Sequence, residues 1–415
     1  MSVVTRYDKG SELSWNEMDG NFNYLNSWDK SHIGGNITYV PLTKEGYTQT
    51  EIINNAISAA SAGDTLILAS GTYNVVATDW DADADIEAIV IDKSINLIGQ
   101  GMQSTIITCD TPSSDTIEIT ASNVTLSNMT INNTGHDTTA IWIYPEGGSS
   151  LSGILIENIR INSYVADGAN LGILSNNSSV DIHDCEITVS TVNTSSAGIS
   201  LYIDMDATSD MNCVLTNNTI TVNGSSTLKD GAKFGNEGIR VFCSLNTTYL
   251  LNVNMFNVDS RATTAESEID YGIRVTSATI DGHATEAFNA TVNAYNCLFS
   301  GTTKDARVYG LNSGSTNKLN LYGCTLVNGT PQGIGGASGL PGLAVNNLGI
   351  IAAKGIQVAD NTSEASAFNQ GTLRYRVAEN PGGGSGDAYR SYCEMSMQTG
   401  TSTYSWEIIK YNSFG

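Results

Sequence analysis

The first clear pattern of hydrophobic and polar positions lies in residues 50–97. Apolar side chains recur there at helical spacing, at Ile52, Ile53, Ala56, Ile57 and Ala60. One face of a short helix is therefore predicted to be apolar. Thr50 can cap its first turn, and Gly63 can supply the left-handed residue that ends it. Leu66 and Leu68 then open a strand, so the helix leads directly into short strands.

A second pattern recurs through residues 120–330. Seven segments fit one template, apolar-x-apolar-x-Asn-x-x-apolar, and they begin at Val124, Ile154, Val180, Cys213, Leu251, Val292 and Leu319. The fifth positions are Asn128, Asn158, Asp184, Asn217, Met255, Asn296 and Gly323. A small amide or carboxyl group that returns at each bend can hydrogen-bond with its equivalents above and below. The repeat therefore predicts stacked coils rather than a row of separate sandwich domains.

Between these segments another repeat supplies a second strand to each unit. It reads Gly or Ala, apolar, any residue, apolar, and begins at Ala140, Gly172, Gly198, Gly238, Gly272 and Gly310. Because side chains alternate along a strand, the residues between the inward apolar positions point outward. One predicted outward column is Trp142, Ser200, Arg240, Arg274 and Asn312, and the next is Tyr144, Tyr202, Phe242 and Thr276.

The opening helix and strands carry a resemblance to a known fold. The sequence Ile-Ile-x-x-Ala-Ile-x-x-Ala-x-x-Gly-Asp-x-Leu-x-Leu-x-x-Gly-x-Tyr is followed at 95–101 by Ile-Asn-Leu-Ile-Gly-Gln-Gly. It resembles the N-terminal cap of right-handed parallel β-helix proteins of the pectate-lyase-like type. With the repeats, this predicts an all-β chain wound as a single-stranded, right-handed parallel β-helix. The resemblance implies little about chemistry, because that fold carries many functions.

Residues 1–30 form an amphipathic unit of their own. Ser14 and Glu17 have the spacing of a capping box. Large apolar residues share one helical face, at Trp15, Met18, Phe22 and Leu25. That face needs a partner surface, either the chain's own β-helix or another protein or symmetry mate. The segment Lys-Gly-Ser-Glu-Leu-Ser-Trp-Asn-Glu-Met-Asp-Gly-Asn-Phe at 9–22 resembles the opening of many bacteriophage tail fibre and tailspike proteins. The resemblance implies docking onto a phage tail, baseplate or adaptor protein.

The repeat template ends after Asn328, and Gly and Pro become frequent, which marks a boundary. Segments such as Gly-Thr-Leu-Arg-Tyr-Arg and Ser-Tyr-Cys-Glu-Met-Ser-Met-Gln-Thr-Gly resemble the C-terminal segments of phage tail fibres. Such ends commonly trimerise, so the resemblance implies a homotrimer. The predicted divisions are a virion-attachment segment (1–35), a cap with first coils (36–100), a β-helix body (101–330), a Gly/Pro linker (331–345) and a C-terminal β trimerisation domain (346–415).

Charge and cysteine usage narrow the range of partners. The formal net charge of −23 repels nucleic acid and anionic membranes, so neither is a predicted partner. No run of about 18 apolar residues occurs, so membrane insertion is not predicted. The cysteines fit no Cys-x-x-Cys pattern of zinc or redox sites. They are predicted to be buried free thiols, at Cys109, Cys185, Cys213, Cys243, Cys297, Cys324 and Cys393.

The outward columns carry the candidate binding chemistry. The predicted glycan-binding residues are Trp142, Tyr144, Tyr202, Phe242, Arg240 and Arg274. Aromatic faces can stack on sugar rings, while guanidinium groups can bind hydroxyls, carboxylates or sulfates. The face is therefore interpreted as a groove for polysaccharide. The alternative is that the aromatic side chains are buried against another subunit or a neighbouring loop.

Catalysis would have to come from carboxylates. The motifs of P-loop NTPases, zincin proteases and α/β-hydrolases do not occur. Glycoside hydrolysis needs two carboxyl groups about 5–9.5 Å apart. The candidates are Asp204, Asp206, Asp230 and Glu237, with Asp210 nearby. With 42 acidic residues, the chain also brings carboxylates together by chance. A lyase would instead use Arg240 or Arg274 with Tyr271.

No cofactor is predicted, with calcium as the alternative. Acidic residues alternate at Asp79, Asp81, Asp83, Asp85 and Glu87. On an extended strand they would share one face and favour Ca²⁺, which prefers oxygen ligands. The alternative is a flexible acidic loop in which these carboxylates do not come close together.

The resemblances and the columns together predict a phage tailspike or tail fibre subunit. It would be made in the host cytoplasm and located in the virion tail. The chain would recognise host cell-surface polysaccharide and either bind it only or also degrade it, with glycoside hydrolysis favoured over lyase chemistry. A structural tail component without a ligand is the alternative, and it leaves the aromatic columns unexplained.

Overall fold

A computed structural model describes the backbone of most of the chain from residue 35 onwards. The described ranges are 35–78, 86–135, 138–146, 149–165, 170–191, 196–204, 206–224, 235–243, 249–264, 270–277, 289–302, 304–310, 317–328, 332–335, 345–348, 373–378, 390–400 and 403–412. The predicted amphipathic unit at 1–30 lies outside these ranges, so its docking role stays a prediction.

A single helix caps the described part of the chain. Helix α1 (Gln49–Ala59) buries Ile52, Ile53 and Ile57. Its N-cap is Thr48 in a capping box with Glu51, so the predicted cap at Thr50 was wrong by two residues. The Thr50 hydroxyl instead accepts from Val76 N at 2.9 Å. At the other end of α1, Lys93 Nζ donates to Ser58 O at 2.6 Å, which satisfies a carbonyl group that the helix leaves free.

Three sheets contain the strands, which we number in chain order. The nine-stranded sheet contains β4 (Glu87–Ile91), β7 (Asp115–Ile119), β9 (Thr138–Ile143), β11 (Asn170–Asn176), β14 (Ser196–Ile203), β17 (Asn236–Cys243), β20 (Asp270–Ser277), β23 (Lys304–Gly310) and β26 (Gln332–Gly335). The three-stranded sheet contains β28 (Leu373–Ala378), β29 (Arg390–Gly400) and β30 (Thr403–Asn412).

The eighteen-stranded sheet contains β1 (Ile37–Val40), β2 (Thr65–Leu68), β3 (Gly71–Val75), β5 (Asn96–Ile98), β6 (Thr105–Cys109), β8 (Thr125–Asn133), β10 (Ile154–Val165), β12 (Val180–His183), β13 (Glu186–Thr191), β15 (Met211–Thr216), β16 (Thr219–Gly224), β18 (Leu251–Phe256), β19 (Asp259–Thr264), β21 (Ala290–Tyr295), β22 (Leu298–Gly301), β24 (Lys318–Tyr322), β25 (Thr325–Leu326) and β27 (Val345–Leu348).

A coil of the chain contributes one strand to the nine-stranded sheet and then two to the eighteen-stranded sheet, or, in two coils, one long strand (β8 or β10) that occupies both positions. In one coil these are β14, β15 and β16, and they pair in parallel with β17, β18 and β19 of the next coil. Parallel pairing of this kind requires a crossover between partners, and here the rest of the coil is the crossover. The chain is therefore a single-stranded parallel β-helix, which confirms the predicted fold class. The sequence predicted only two of the three strands in each coil.

A left-handed residue marks the bend of each of seven successive coils in the eighteen-stranded sheet: it lies within β8 and β10 in two coils and between two separate strands in the others. Positive φ angles between 51° and 64° occur at Asn128, Asn158, Asp184, Asn217, Asn257, Asn296 and Gly323. Six of these were predicted. The template segment at Leu251 was misplaced by two residues, because Cys213 pairs with Val253, so Asn257 rather than Met255 occupies the turn.

The side chains of these turn residues bond from coil to coil. Asn158 Nδ2 donates to Asn128 Oδ1 at 2.5 Å, and Asn217 Nδ2 donates to Asp184 Oδ1 at 3.0 Å. Asn257 Nδ2 in turn donates to Asn217 Oδ1 at 3.2 Å. Short polar side chains tolerate the left-handed conformation because they can hydrogen-bond locally. The ladder therefore holds neighbouring coils in one register.

The glycines of the second repeat lie where the nine-stranded sheet approaches the opposite wall of the coil. A Cβ on Gly198 would lie 2.2 Å from Ile220 Cγ2, so a larger residue would require a shift of the core. The apolar residues that follow these glycines are fully buried, at Ile173, Ile199, Ile239 and Ile273. The predicted repeat at Gly310 was wrong, because β20 and β23 pair Tyr271 with Lys304 and Ile273 with Ala306. Asp305 thus stands opposite Gly272.

Aliphatic side chains fill the interior of the coils, and the cysteines lie among them. The six cysteines whose side chains are described are free and buried, which confirms that prediction for them. Burial raises the pKa of Cys185, Cys213 and Cys243 to about 12. None of the described residues forms a helix with the length and apolarity to cross a membrane.

Strand pairing extends past the predicted end of the β-helix body at residue 330. Strands β26 and β27 pair in parallel with β23 and β24, so the last described coil reaches Leu348. The chain divides into two compact units, 1–350 and 351–415. In the second unit β28, β29 and β30 form an antiparallel sheet. Trimerisation through this unit stays a prediction.

Replacing Asn217 tests the contribution of the left-handed turn. Asn217→Ala removes two coil-to-coil bonds and places an ordinary Cβ residue at φ 55°, so we expect a loss of about 2 kcal/mol of unfolding free energy. Asn217→Gly loses the same bonds, but glycine adopts a positive φ without steric strain. Its loss of unfolding free energy should therefore be about 1 kcal/mol or less. Urea denaturation measures both. Asn223→Ala removes one ladder bond from a strand and is the control. Equal losses for the Ala and Gly variants would contradict the backbone argument.

Thiol labelling tests the burial of the cysteines. At pH 8, a thiol with a pKa of about 12 is a thiolate in about one molecule in ten thousand. We expect iodoacetamide to leave Cys185, Cys213 and Cys243 unmodified in the native protein and to modify all three in urea, as measured by peptide mass mapping. Rapid modification of any of them in the native protein would show that its coil opens.

Candidate functional site

Strand pairing aligns the residues of the nine-stranded sheet in three columns, of which the second and third contain the residues predicted to point outward. The first column is Glu87, Asp115, Thr139, Leu171, Ala197, Glu237, Tyr271 and Lys304. The second column is Val90, Glu118, Trp142, Leu174, Ser200, Arg240, Arg274 and Arg307. Adjacent strands lie about 4.8 Å apart, so each column runs along the axis of the coils.

The third column contains Asn176, Tyr202 and Phe242 in register, and Thr276 occupies the next position. Tyr144, directly after β9, precedes them. The predicted grouping of the outward residues is therefore confirmed, with one correction. The residue beside Arg274 is Arg307 rather than Asn312, and Asn312 lies outside the described ranges.

Glu237 organises the second half of this face. Its side chain is fully buried, and its two carboxylate oxygens accept from different arginines. Arg274 Nη1 donates to Oε1 at 2.7 Å, and Arg240 Nε donates to Oε2. Both arginines are also buried, with 8% and 4% of their surfaces exposed for Arg240 and Arg274. Charges at this depth persist only when they are paired, so the predicted binding arginines are held by a structural ion-pair network.

Tyr271 extends that network toward the C-terminal coils. It is buried beside Glu237 in the first column, and its hydroxyl accepts from Arg307 Nη1. The guanidinium carbons of Arg274 and Arg307 lie 5.7 and 5.1 Å from its ring centroid. These distances suit cation–π attraction. Tyr271, the candidate for lyase chemistry, is therefore enclosed between two arginines.

The predicted aromatic residues form two stacked pairs. Trp142 and Tyr144 have ring centroids 4.8 Å apart and planes at 26°. Tyr202 and Phe242 have the same separation at 33°. All four side chains are half-buried. Within each pair, stacking occupies one face of each ring.

Two buried polar atoms lie among these rings without a hydrogen-bond partner in the described part of the chain. They are Trp142 Nε1 and Asn176 Oδ1. Asn176 stands between the positions of Tyr144 and Tyr202 in the third column. Buried donors and acceptors are almost always satisfied, so these two atoms are exceptions to that rule, as are several others in the described chain, among them Asn133 Nδ2 and His183 Nε2.

A further aromatic column, which the sequence did not predict, lies on the eighteen-stranded sheet. Phe256, Tyr295 and Tyr322 occupy one register position directly before the left-handed turn. Their ring centroids are 5.1 and 4.7 Å apart, with planes within 10°. Stacked outward rings therefore also contribute to coil-to-coil cohesion in this protein.

The candidate catalytic carboxylates are placed as follows. Asp204 Oδ1 accepts from Asn177 Nδ2 at 2.6 Å and from Asp206 N at 2.8 Å, and Asp206 is exposed. Asp210 Oδ1 accepts from Leu250 N at 2.9 Å. Asp230 lies outside the described ranges, and Glu237 is bound as above. A catalytic role for this set stays a prediction.

The acidic run that suggested calcium is mostly outside the described ranges, which omit residues 79–85. Glu87 is fully buried and pairs with Asp115 of β7 in the first column. Among the described residues, histidine, cysteine, aspartate and glutamate form no group of three that could hold a metal ion. The calcium alternative remains untested.

No protein-family model and no curated protein sequence matches this chain. Similar solved structures include pectin methylesterase in complex with hexasaccharide VII, at 12% identity and a TM-score of 0.38. The similar region covers 70% of this chain and 88% of the pectin methylesterase chain. Pectate lyase Pel9A has 12% identity and a TM-score of 0.38, and the similar region covers 81% of this chain and 84% of the lyase chain. ORF18 of Geobacillus virus E2 has 15% identity and a TM-score of 0.33, and the similar region covers 97% of this chain and 81% of the ORF18 chain. At these values the similarities carry no argument about activity, and the fold assignment rests on the strand pairing.

Replacing Glu237 tests the ion-pair network. Glu237→Gln leaves two buried guanidinium groups beside a neutral amide, so we expect a loss of about 3 kcal/mol or more of unfolding free energy. The matched control is Asp259→Asn, which breaks the exposed pair with Arg261 and should change the free energy by about 1 kcal/mol or less. Chemical denaturation measures both. A Glu237→Gln loss as small as that of the control would contradict the structural role.

Proposed function

We propose that this chain is a subunit of a bacteriophage tailspike or tail fibre that binds host cell-surface polysaccharide on the outer face of the nine-stranded sheet. The observation that carries the proposal is the patch formed by Trp142, Tyr144, Asn176, Tyr202 and Phe242. It combines half-buried aromatic rings with polar atoms that lack a partner in the described chain.

The geometry of the patch suits an extended sugar chain. Its residues come from β9, β11, β14 and β17, four successive strands of the sheet, so the patch spans about 14 Å along the axis. Aromatic rings present large amphipathic surfaces, which complement the apolar faces of pyranose rings. Asn176 Oδ1 and Trp142 Nε1 are buried, so a ligand rich in hydroxyl groups would bond to them, directly or through water, only after a side-chain rotation exposes them.

The described carboxylates favour binding without cleavage. Glycoside hydrolysis needs one carboxyl group that donates a proton and a second that acts as base or nucleophile. Both oxygens of Glu237 are held by arginines, and Oδ1 of Asp204 is held by an amide and a backbone N–H. An adhesin is therefore the preferred function, with depolymerase activity as the outcome that would extend it.

The remaining parts of the proposal rest on the resemblances of the two ends. Residues 1–30 would mount the subunit on the tail, baseplate or an adaptor protein, and residues 346–415 would hold three chains together. The assembled protein would then present three polysaccharide-binding faces in the virion tail, and the resulting multivalency would raise the overall avidity.

Retention of host polysaccharide on the immobilised protein tests the function. We expect Trp142→Ala and Tyr202→Ala each to weaken retention of capsule or O-antigen about tenfold, a change of about 1.4 kcal/mol. Tyr39→Ala, at an aromatic residue that is 73% exposed on β1, is the control and should bind normally. Melting temperatures of all variants check that folding is intact. Unchanged binding by both patch variants would refute the assignment of this face.

The same incubation separates binding from cleavage. New reducing ends would identify a hydrolase, and ultraviolet absorbance from an unsaturated uronate would identify a lyase. Retention with neither product is the expected result for an adhesin. A protein that neither retains nor cleaves the host polysaccharide would be a structural tail component.

A further inference from the structure

A groove of about 350 Å³ lies on the eighteen-stranded sheet, away from the aromatic patch. It crosses four consecutive strands, β6, β8, β10 and β13, on the side of the coil that follows the left-handed turn. Thr108, Asn132, Asn162 and Thr188 occupy one outward register position across these strands. Tyr164 and Ser190 line its rim in the neighbouring position.

Every side chain that lines this groove is polar and uncharged. The charged pair nearest along the same strands, Arg160 and Glu186, is closed by a contact of 2.7 Å between Nη2 and Oε2. No charged side chain lines the groove, so a charged ligand would be desolvated there without an ion-pair partner. The exposed carboxylate of Asp110, two residues after Thr108, would also repel an anion.

The groove keeps hydrogen-bonding capacity for a ligand. Asn162 Nδ2 donates to Asn132 Oδ1 at 3.0 Å, which orients both amides. This bond leaves the Asn162 carbonyl oxygen and the Asn132 amide nitrogen available. The hydroxyl groups of Thr108, Thr188 and Ser190 make no hydrogen bond to another side chain in the described part of the protein. Donors and acceptors thus repeat along the axis at intervals of about 4.8 Å, the strand spacing.

Tyr164 supplies an aromatic surface of a different kind from the stacked pairs. Its side chain is 54% exposed, and its ring stacks on no other aromatic ring of the described chain. About half of the surface of Tyr164 is therefore open to a ligand. An aromatic ring beside a row of amides and hydroxyls is the combination that binds a sugar, because the ring takes the C–H face and the polar groups take the hydroxyls.

We propose that this groove is a second carbohydrate site and that its ligand is a neutral oligosaccharide segment. The row of four strands spans about 14 Å, so the site takes several sugar units in an extended chain along the coil axis. The proposal does not depend on the aromatic patch of the nine-stranded sheet, because no residue is shared between the two sites.

Saturation-transfer NMR and titration calorimetry on the full chain test the proposal. The probes are neutral hexasaccharides of glucose, galactose, mannose and N-acetylglucosamine, with hexagalacturonate as the anionic comparison. We expect at least one neutral probe to bind and hexagalacturonate to bind at least tenfold more weakly at this site. Tyr164→Ala should weaken neutral binding about tenfold or more, and Tyr164→Phe should keep most of it. Tyr39→Ala is the matched control for loss of an exposed tyrosine.

The variants separate the two sites. Binding that survives Trp142→Ala and Tyr202→Ala but fails in Tyr164→Ala supports the groove, whatever the fate of the aromatic patch. Binding lost only in the patch variants refutes the groove and leaves the proposed function standing. The groove proposal is also overturned if no neutral probe binds, or if hexagalacturonate is preferred and its binding depends on Tyr164.

Discussion

The left-handed residue between two strands of each coil is the constraint on which this structure depends. Parallel strands give no information about register by themselves, and a slip of one residue would turn every inward side chain outward. In seven successive coils, a residue with φ between 51° and 64° fixes the bend between the two strand positions at a defined place. In three pairs of neighbouring coils, the side-chain amide of that residue donates to the side-chain oxygen of its equivalent. Core, columns and candidate sites all follow from this register.

Stacking in register also determines which side chains can be neighbours. Residues at the same position of successive coils lie about 4.8 Å apart, so a column favours side chains that interact attractively with an identical side chain. Amides do so through ladders such as Asn254, Asn293 and Asn320. Rings do so by stacking, as in Phe256, Tyr295 and Tyr322. Three arginines in one column repel, and Glu237 and Tyr271 in the adjacent column offset that repulsion.

The sequence could predict those parts of the fold that a local rule marks. The turn asparagines were found because only a few residue types suit the left-handed conformation, and the outward aromatics because strands alternate. The segment at Leu251 was misplaced because Leu251, Val253 and Met255 are all apolar, so two registers fit the template equally well. The third strand of each coil was missed because sequences such as that of β13 carry no glycine or asparagine marker.

Contacts between distant coils could not be predicted in the same way. Arg307 was assigned to no column because Asp305 replaces the glycine that marked the earlier strands. The burial of Arg240 and Arg274 was also not foreseen. The alternation of side chains along a strand indicates which way a side chain points, but not how deeply it is buried. Both cases depend on neighbours 30 to 40 residues away in the sequence. The groove beside Tyr164 was missed for the same reason, because its four strands come from four different coils.

The distance between equivalent positions varies from 24 to 40 residues, yet the paired strands keep one register. The variation is confined to the connections between strands. A connection can therefore lengthen, shorten or be exchanged without disturbing the backbone bonds beside it. The surface that these connections form can therefore diversify rapidly under selection, while the strand pairing that defines the fold is kept.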